Sequence, residues 1–127
     1  SETVRLTQSA AAMAPAVAQF ALALIVLALR QTVARAASLR AAAPVPGAID
    51  DLTDTPVGLV GLSRVGAATA DLLAHAGARV LAYDPHAPDE RFAAARAERV
   101  DDLDALLAAS RAVSLHAPVT PETLGMI

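Results

Sequence analysis

Val57-Gly58-Leu59-Val60-Gly61-Leu62-Ser63-Arg64-Val65-Gly66 is the stretch whose reading decides the fold. It reads as a short apolar strand, a turn at Gly61 and the entry to an apolar-periodic helix over Ala67 to Ala76. Gly61 and Gly66 occupy the first and third positions of a Gly-x-Gly-x-x-Gly turn, and Ser63 stands at the second. In such a turn the amides at a helix start face a pyrophosphate, and the helix dipole favours its charge. The first glycine makes the bend, the second admits the ligand and the third lets helix and strand pack closely. A βα turn that binds nothing has the same outline, so the neighbouring sequence has to decide.

Downstream, apolar runs and helical patterns alternate. Gly77 sits where a helix C′ glycine belongs, and Arg79 to Tyr83 is a continuous apolar strand ending at Asp84-Pro85. A short helix is expected over Pro88 to Ala97 and an edge strand over Glu98 to Val100. Asp101 or Asp102 should cap a helix through Ala109, and Ala112 to Leu115 reads as a buried strand. Thr120 is placed to cap a further helical turn with Pro121 at its first position. Strands joined by crossovers of helix length imply an α/β fold, the first half of a Rossmann-like doubly wound parallel sheet. Asp84 follows Gly61 by 23 positions. A carboxylate there reaches the adenosine ribose hydroxyls of a dinucleotide and repels a 2′-phosphate, which favours NAD over NADP. Its plainer reading is a solvated turn residue before Pro85.

Upstream, Pro15 to Leu39 reads as one long helix of roughly 37 Å. Ala10 to Leu29 is apolar but for Gln19 and long enough to cross a bilayer. Its alanine content, and the basic residues Arg30, Arg35 and Arg40 beyond it, equally suit a helix packed between a domain and a partner. Glu2 and the lack of a basic flank argue against a signal peptide. Residues 42–54 form a linker, broken by Pro44, Pro46 and Gly47 and solvated by Asp50, Asp51 and Asp54.

A 127-residue chain that is 55% hydrophobic and 18% charged is the size of one domain and can bury a core. The absence of cysteine excludes disulfides, thiolate metal sites and a cysteine nucleophile, and fits a cytoplasmic location. A net charge of -3 and 2% aromatics offer little to nucleic acid or to an anionic membrane surface. No metal site is expected.

Four passages in order, Ala16 to Leu24, Val57 to Gly66, Val80 to Pro85 and Leu103 to Thr123, make the chain resemble the NAD-dependent D-2-hydroxyacid dehydrogenases. The most specific is Val113-Ser114-Leu115-His116-Ala117-Pro118-Val119-Thr120-Pro121-Glu122-Thr123. The resemblance implies that NAD is the cofactor, held by Gly61, Leu62, Ser63, Arg64, Val65 and Gly66 at the pyrophosphate and by Asp84 at the ribose. His116, Ala117, Pro118 and Thr123 would line the cleft, with Ser9 approaching from the N-terminal side. His116 is not the family's acid–base histidine, and a polar residue ending a strand remains its plainer reading. His75 and His86 read as a helix-surface and a loop residue.

The resemblance also implies that residues 1–41 comprise the end of a crossover from a substrate domain and a long helix, 15–39, that forms a homodimer interface rather than a membrane span. Residues 55–127 would be the first part of the nucleotide domain. The catalytic Arg, Glu and His of the family find no counterpart here and are expected outside this chain. The full protein would interconvert a small 2-hydroxy acid and its 2-keto acid; this polypeptide alone should not catalyse the reaction. The alternative is a non-catalytic dimerising module that binds the cofactor weakly or not at all. Departures from the family pattern are Ser63 for Gly, Asp54 for Gly, Gln19 for Glu, Arg111 for Asp and Met13 for Asn.

Overall fold

The computed structural model describes residues 9–44 and 47–127; the extended piece expected over Val4 to Thr7 lies outside them. In chain order the elements are α1 (Ala10–Leu29), α2 (Thr32–Arg40), β1 (Pro56–Val60), α3 (Arg64–His75), β2 (Arg79–Tyr83), α4 (Asp89–Ala94), β3 (Glu98–Arg99), α5 (Leu103–Ala109) and β4 (Ala112–Leu115). The strands form one parallel sheet in the order β3-β2-β1-β4. Val57 pairs with Val80 on one side and Ala112 on the other, so β1 is central. The first βαβ unit therefore crosses over α3, and the chain then returns to the other side of β1, which is the doubly wound arrangement expected.

Alternation along the strands divides the core in two. Val57, Leu59, Val80 and Ala82 face α1 and α3 and join Ile25, Leu29, Ala70 and Leu73 in the larger cluster. Val60 and Leu81 face the opposite side and pack on Leu106 of α5. Successive strand residues point to opposite faces, and both faces are covered, so β1 and β2 carry near-continuous apolar runs. Gly58 is where α5 comes closest: a β-carbon there would lie 2.4 Å from Ser110 Oγ and 2.8 Å from Leu106 Cδ2.

Local chemistry explains most boundaries. Ser63 and Asp102 cap α3 and α5, accepting the amides of Gly66 and Ala105. Gly77, with φ +93°, closes α3 through Ala78 N–H to the Leu73 carbonyl and Gly77 N–H to the Ala74 carbonyl. Asp54 also has a left-handed backbone, φ 54°, which accounts for glycine being usual there; its N–H donates to the Gly77 carbonyl at 2.9 Å. Arg111 pairs with Asp50, so the departure at 111 ties the linker to the start of β4.

Four expectations need correction, the first being that β4, read as a buried strand, is an edge strand whose Val113 and Leu115 are exposed. The helix over 15–39 is two helices, interrupted where Gln31 adopts φ 50°. No Gly or Pro marks the break; Gln31 Nε2 donates to the Ala48 carbonyl at 3.3 Å and Arg35 Nη2 to the Gly47 carbonyl at 3.1 Å, so α2 is turned to meet the linker. Pro15 lies inside α1 rather than at its first position. The carbonyl it leaves without a donor belongs to Ala11, which is exposed and open to water. Finally, Pro121 to Gly125 forms turns and not helix; Thr123 N–H does donate to Thr120 Oγ1, at 3.3 Å.

One stripe of α1, Ala14, Ala18, Ile25 and Leu29, is buried against the domain. Its other side leaves Val17, Phe20, Leu24 and Leu27 exposed. Ala11–Leu29 is long and apolar enough to cross a membrane, with a mean hydropathy of 2.2, but the buried stripe shows that part of it packs on α3.

Candidate functional site

A cleft of about 460 Å³ opens at the carboxyl ends of β1, β2 and β4. Ligands of open parallel sheets bind there, where the strand order reverses on either side of β1. Gly61, Ser63, Asp84, His116, Ala117, Pro118 and Thr123 all line it. Seven of the residues singled out in the sequence thus converge from three separate strand ends.

The floor of the cleft is a close approach that only glycine permits. Gly61 has φ +93°, and a β-carbon on it would meet Ala117 N at 2.8 Å. A β-carbon on Gly66 would meet the Gly61 carbonyl oxygen at 2.2 Å and His116 Cβ at 3.2 Å. The turn, the start of α3 and the loop after β4 are therefore in contact through hydrogens alone. α3 begins at Arg64, earlier than the sequence suggested, so Ser63 is its N-cap and not a residue of a longer loop. Ser63 Oγ accepts the Gly66 amide at 3.4 Å, which leaves its own hydroxyl hydrogen available to a ligand. The amides of Arg64 and Val65 lack intrahelical acceptors, as at any helix start.

Asp84 is more engaged than its sequence position implied. Its Oδ2 accepts Leu62 N–H at 2.7 Å, and its Oδ1 accepts His86 N–H at 2.9 Å and Ala87 N–H at 3.0 Å. A carboxylate offers about four acceptor sites. Three are filled, and the fourth is open.

His116 N–H joins the sheet through the Val60 carbonyl, and its ring Nε2 lies 3.0 Å from Ser114 Oγ. Desolvation holds the imidazole below its ordinary pKa, so the ring is neutral at pH 7. Thr123 Oγ1 accepts Thr120 N–H at 2.8 Å and donates to the Pro118 carbonyl at 2.6 Å. Its hydroxyl shapes the loop that walls the cleft.

Other predicted residues stand apart. Leu62 is fully buried in the core, and its N–H is engaged by the Asp84 carboxylate. Val65 is half-buried, Arg64 is exposed on the outer side of the helix start, and neither lines the cleft. Ser9 lies at the start of α1, bonded to Met13 Sδ at 3.5 Å, and does not reach the cleft either. His75 and His86 are on a helix surface and in a loop, as read; His86 also borders the cleft, 3.9 Å from Glu122. Arg91 was missed. It lines the cleft and its Nη1 donates to the Leu62 carbonyl at 3.0 Å, a long-range contact that its place in an alanine-rich helix does not signal.

Comparison with known proteins agrees with this geometry. Residues 22–127 match the family described as D-isomer specific 2-hydroxyacid dehydrogenase, NAD binding domain. D-3-phosphoglycerate dehydrogenase of Mycobacterium bovis is 41% identical over 112 residues, which cover 87% of this chain and 21% of that protein. Among solved structures, D-lactate dehydrogenase with NAD+ from Lactobacillus jensenii aligns with a TM-score of 0.79 at 26% identity, covering 90% of this chain and 34% of that one. The NAD-complexed D-isomer specific 2-hydroxyacid dehydrogenase from Lactobacillus delbrueckii ssp. bulgaricus aligns with a TM-score of 0.77 at 27% identity, over 90% of this chain and 36% of that one. The chain spans about a fifth of the curated relative and about a third of the solved structures. It belongs to the family of D-isomer specific 2-hydroxyacid dehydrogenase NAD-binding domains.

Proposed function

We propose that this chain provides the cofactor-binding first half of an oxidoreductase that interconverts a D-2-hydroxy acid and its 2-keto acid with NAD. The observation that carries the reading is the close packing of Gly61, Gly66 and Ala117 beneath the cleft, with the Asp84 carboxylate beside the turn in its lining. Bound there, the nicotinamide would accept or supply the hydride. The residues of this chain hold the rest of the cofactor. The start of α3 at Ser63, which lines the cleft, faces the pyrophosphate with its unpaired amides. Asp84 takes a ribose hydroxyl on its remaining acceptor site. Ala117 and Pro118 wall the cleft, Thr123 holds that wall in shape, and neutral His116 presents an uncharged ring to it.

The acid–base and carboxylate-anchoring groups belong to parts of the protein outside this chain, so the chain by itself binds and does not catalyse. The open edge of β4 leaves room for further parallel strands. We also propose a cytoplasmic homodimer, with the exposed stripe Val17, Phe20, Leu24 and Leu27 of α1 as its interface. The stripe flanks the packed one, and Val17, Phe20 and Leu24 line an open cavity with Val113 and Leu115 of β4, which supports a protein cover over a bilayer that would have to accommodate the domain packed along the same helix. Calorimetric titration of the purified chain with NAD tests the cofactor reading: saturable binding that weakens in Asp84→Ala supports it. Absence of binding to well-folded protein would favour a non-catalytic module. Solubility without detergent tests the placement of α1.

A further inference from the structure

His116 stands between two spaces. It lines the cofactor cleft, and it also lines an open cavity of about 850 Å³ between α1 and β4. Ser114 lines that second cavity and not the cleft, and its Oγ lies 3.0 Å from His116 Nε2. The two residues are two positions apart, so their side chains leave the same face of the sheet and the ring is drawn back along β4. The root of the ring is fixed independently. His116 N–H donates to the Val60 carbonyl at 2.8 Å, and a β-carbon built on Gly66 would lie 3.2 Å from His116 Cβ. Rotation about the two side-chain torsions is what remains, and among the described residues Ser114 is the one polar partner of the ring. Asp50 and Arg111, which also line the second cavity, are paired with each other, so neither competes for the imidazole.

We propose that Ser114 is a positioning residue for the nicotinamide half of the cofactor: its hydroxyl holds the His116 imidazole in one orientation at the β4 end of the cleft. The inference rests on the reading that the adenosine ribose lies at Asp84. β2 and β4 flank β1 on opposite sides. A dinucleotide with its adenosine ribose at the end of β2 and its pyrophosphate at the β1 turn therefore carries its nicotinamide toward the end of β4. With Nε2 tied to Ser114, the ring presents the same surface whenever the cofactor arrives. Without the hydroxyl it samples further staggered positions, and binding has to select one of them. The contacts of the adenosine and pyrophosphate are made by other residues and do not change.

The experiment is calorimetric titration of the whole chain with NAD and with ADP-ribose, which keeps both riboses and the pyrophosphate but lacks the nicotinamide. The chains are the native sequence, Ser114→Ala, Ser114→Thr, His116→Ala and the double alanine variant, each checked for folding by circular dichroism. Ser114→Ala should weaken NAD about fivefold and ADP-ribose less than about twofold. Ser114→Thr keeps the hydroxyl, suits a strand and has the open cavity to receive its methyl, so NAD affinity should return to within about twofold of native. In the His116→Ala background, Ser114→Ala should change NAD affinity by less than about twofold, because its effect runs through the ring. Equal losses for the two ligands, or a fivefold loss that persists without His116, overturns the proposal. Side-chain NMR couplings of His116 in the native chain give a reading that needs no variant: one fixed orientation is expected, and a ring averaged over several overturns the proposal. Native chain that fails to bind NAD overturns the cofactor reading itself, whereas native chain that binds NAD no better than Ser114→Ala does overturns the positioning alone.

Discussion

Gly66 faces the carbonyl oxygen of Gly61 so closely that a β-carbon on it would lie 2.2 Å away. Backbone blocks the space, so nothing can swing aside. Gly66→Ala should therefore destabilise the chain by roughly 2–3 kcal/mol or more and open the turn. Gly58 is equally crowded, but by Ser110 Oγ and Leu106 Cδ2, which are side-chain atoms. Gly58→Ala should be partly rescued by Ser110→Gly, which clears the nearer contact and leaves Leu106 Cδ2 to shift, while no side-chain change rescues Gly66→Ala. Thermal melts of the single and double variants check the contrast.

Asp54 occupies a left-handed conformation at φ 54°. Glycine adopts it without the steric cost that a β-carbon carries, and Asp is one of the residues that tolerate it best. Asp54→Gly should leave stability unchanged or raise it by up to about 1 kcal/mol, whereas Asp54→Val should lower it by about 1–2 kcal/mol. A loss on Asp54→Gly as large as that of the valine variant would mean that the aspartate side chain, and not the backbone, is what matters.

These glycine-like positions mark how far the sequence could be read. Strand and helix order, the Gly77 closure and the Asp102 cap follow from local chemistry and were legible. The convergence of Gly61 and Asp84 was legible through spacing, because parallel strands bring their carboxyl ends to one edge, and that of His116 through the family resemblance. The break at Gln31 was not. It depends on contacts with Ala48 and Gly47 well down the chain, with no local breaker to announce it. For the same reason Arg91 and the bond that engages the Leu62 amide went unseen: both depend on residues 22 or 29 positions away.

Ser63 does two things at once. As N-cap its hydroxyl accepts the Gly66 amide at 3.4 Å, a long bond, and it borders the cleft where a glycine would leave more room. Ser63→Gly should tighten NAD binding while costing only a few tenths of a kcal/mol, and Ser63→Ala should cost about 1 kcal/mol without improving affinity. Calorimetry beside thermal melts separates the two effects. Unchanged affinity in Ser63→Gly would show that the turn does not contact the pyrophosphate.

His116 should introduce a pH dependence of definite sign. Burial lowers its pKa in the folded state, so the unfolded chain takes up a proton first as pH falls. Stability is fully present above the ordinary imidazole value of about 6.5, falls as pH drops below it, and levels off under the folded midpoint. His116→Gln should flatten that part of the profile. An NMR titration that places the His116 midpoint at or above the ordinary value would contradict the account.

Leu24 tests what covers α1. Val17, Phe20, Leu24 and Leu27 recur at helical spacing on the side left exposed when Ala18, Ile25 and Leu29 pack inward. Exposure of Phe20 at 65% and Leu24 at 49% is a large apolar surface for one helix to present to water. If a second copy covers it, a charge at Leu24 must be buried without a partner on both subunits. Leu24→Arg should then weaken the dimer by at least about 2 kcal/mol, roughly thirtyfold in its dissociation constant. The fold itself should survive, because Leu24 lies outside the core that Ile25 and Leu29 share with the sheet. Sedimentation velocity across a concentration series reads the association, and circular dichroism reads the fold. A dimer that persists unchanged in Leu24→Arg would move the interface off this helix, and a native chain that is monomeric throughout would remove it altogether.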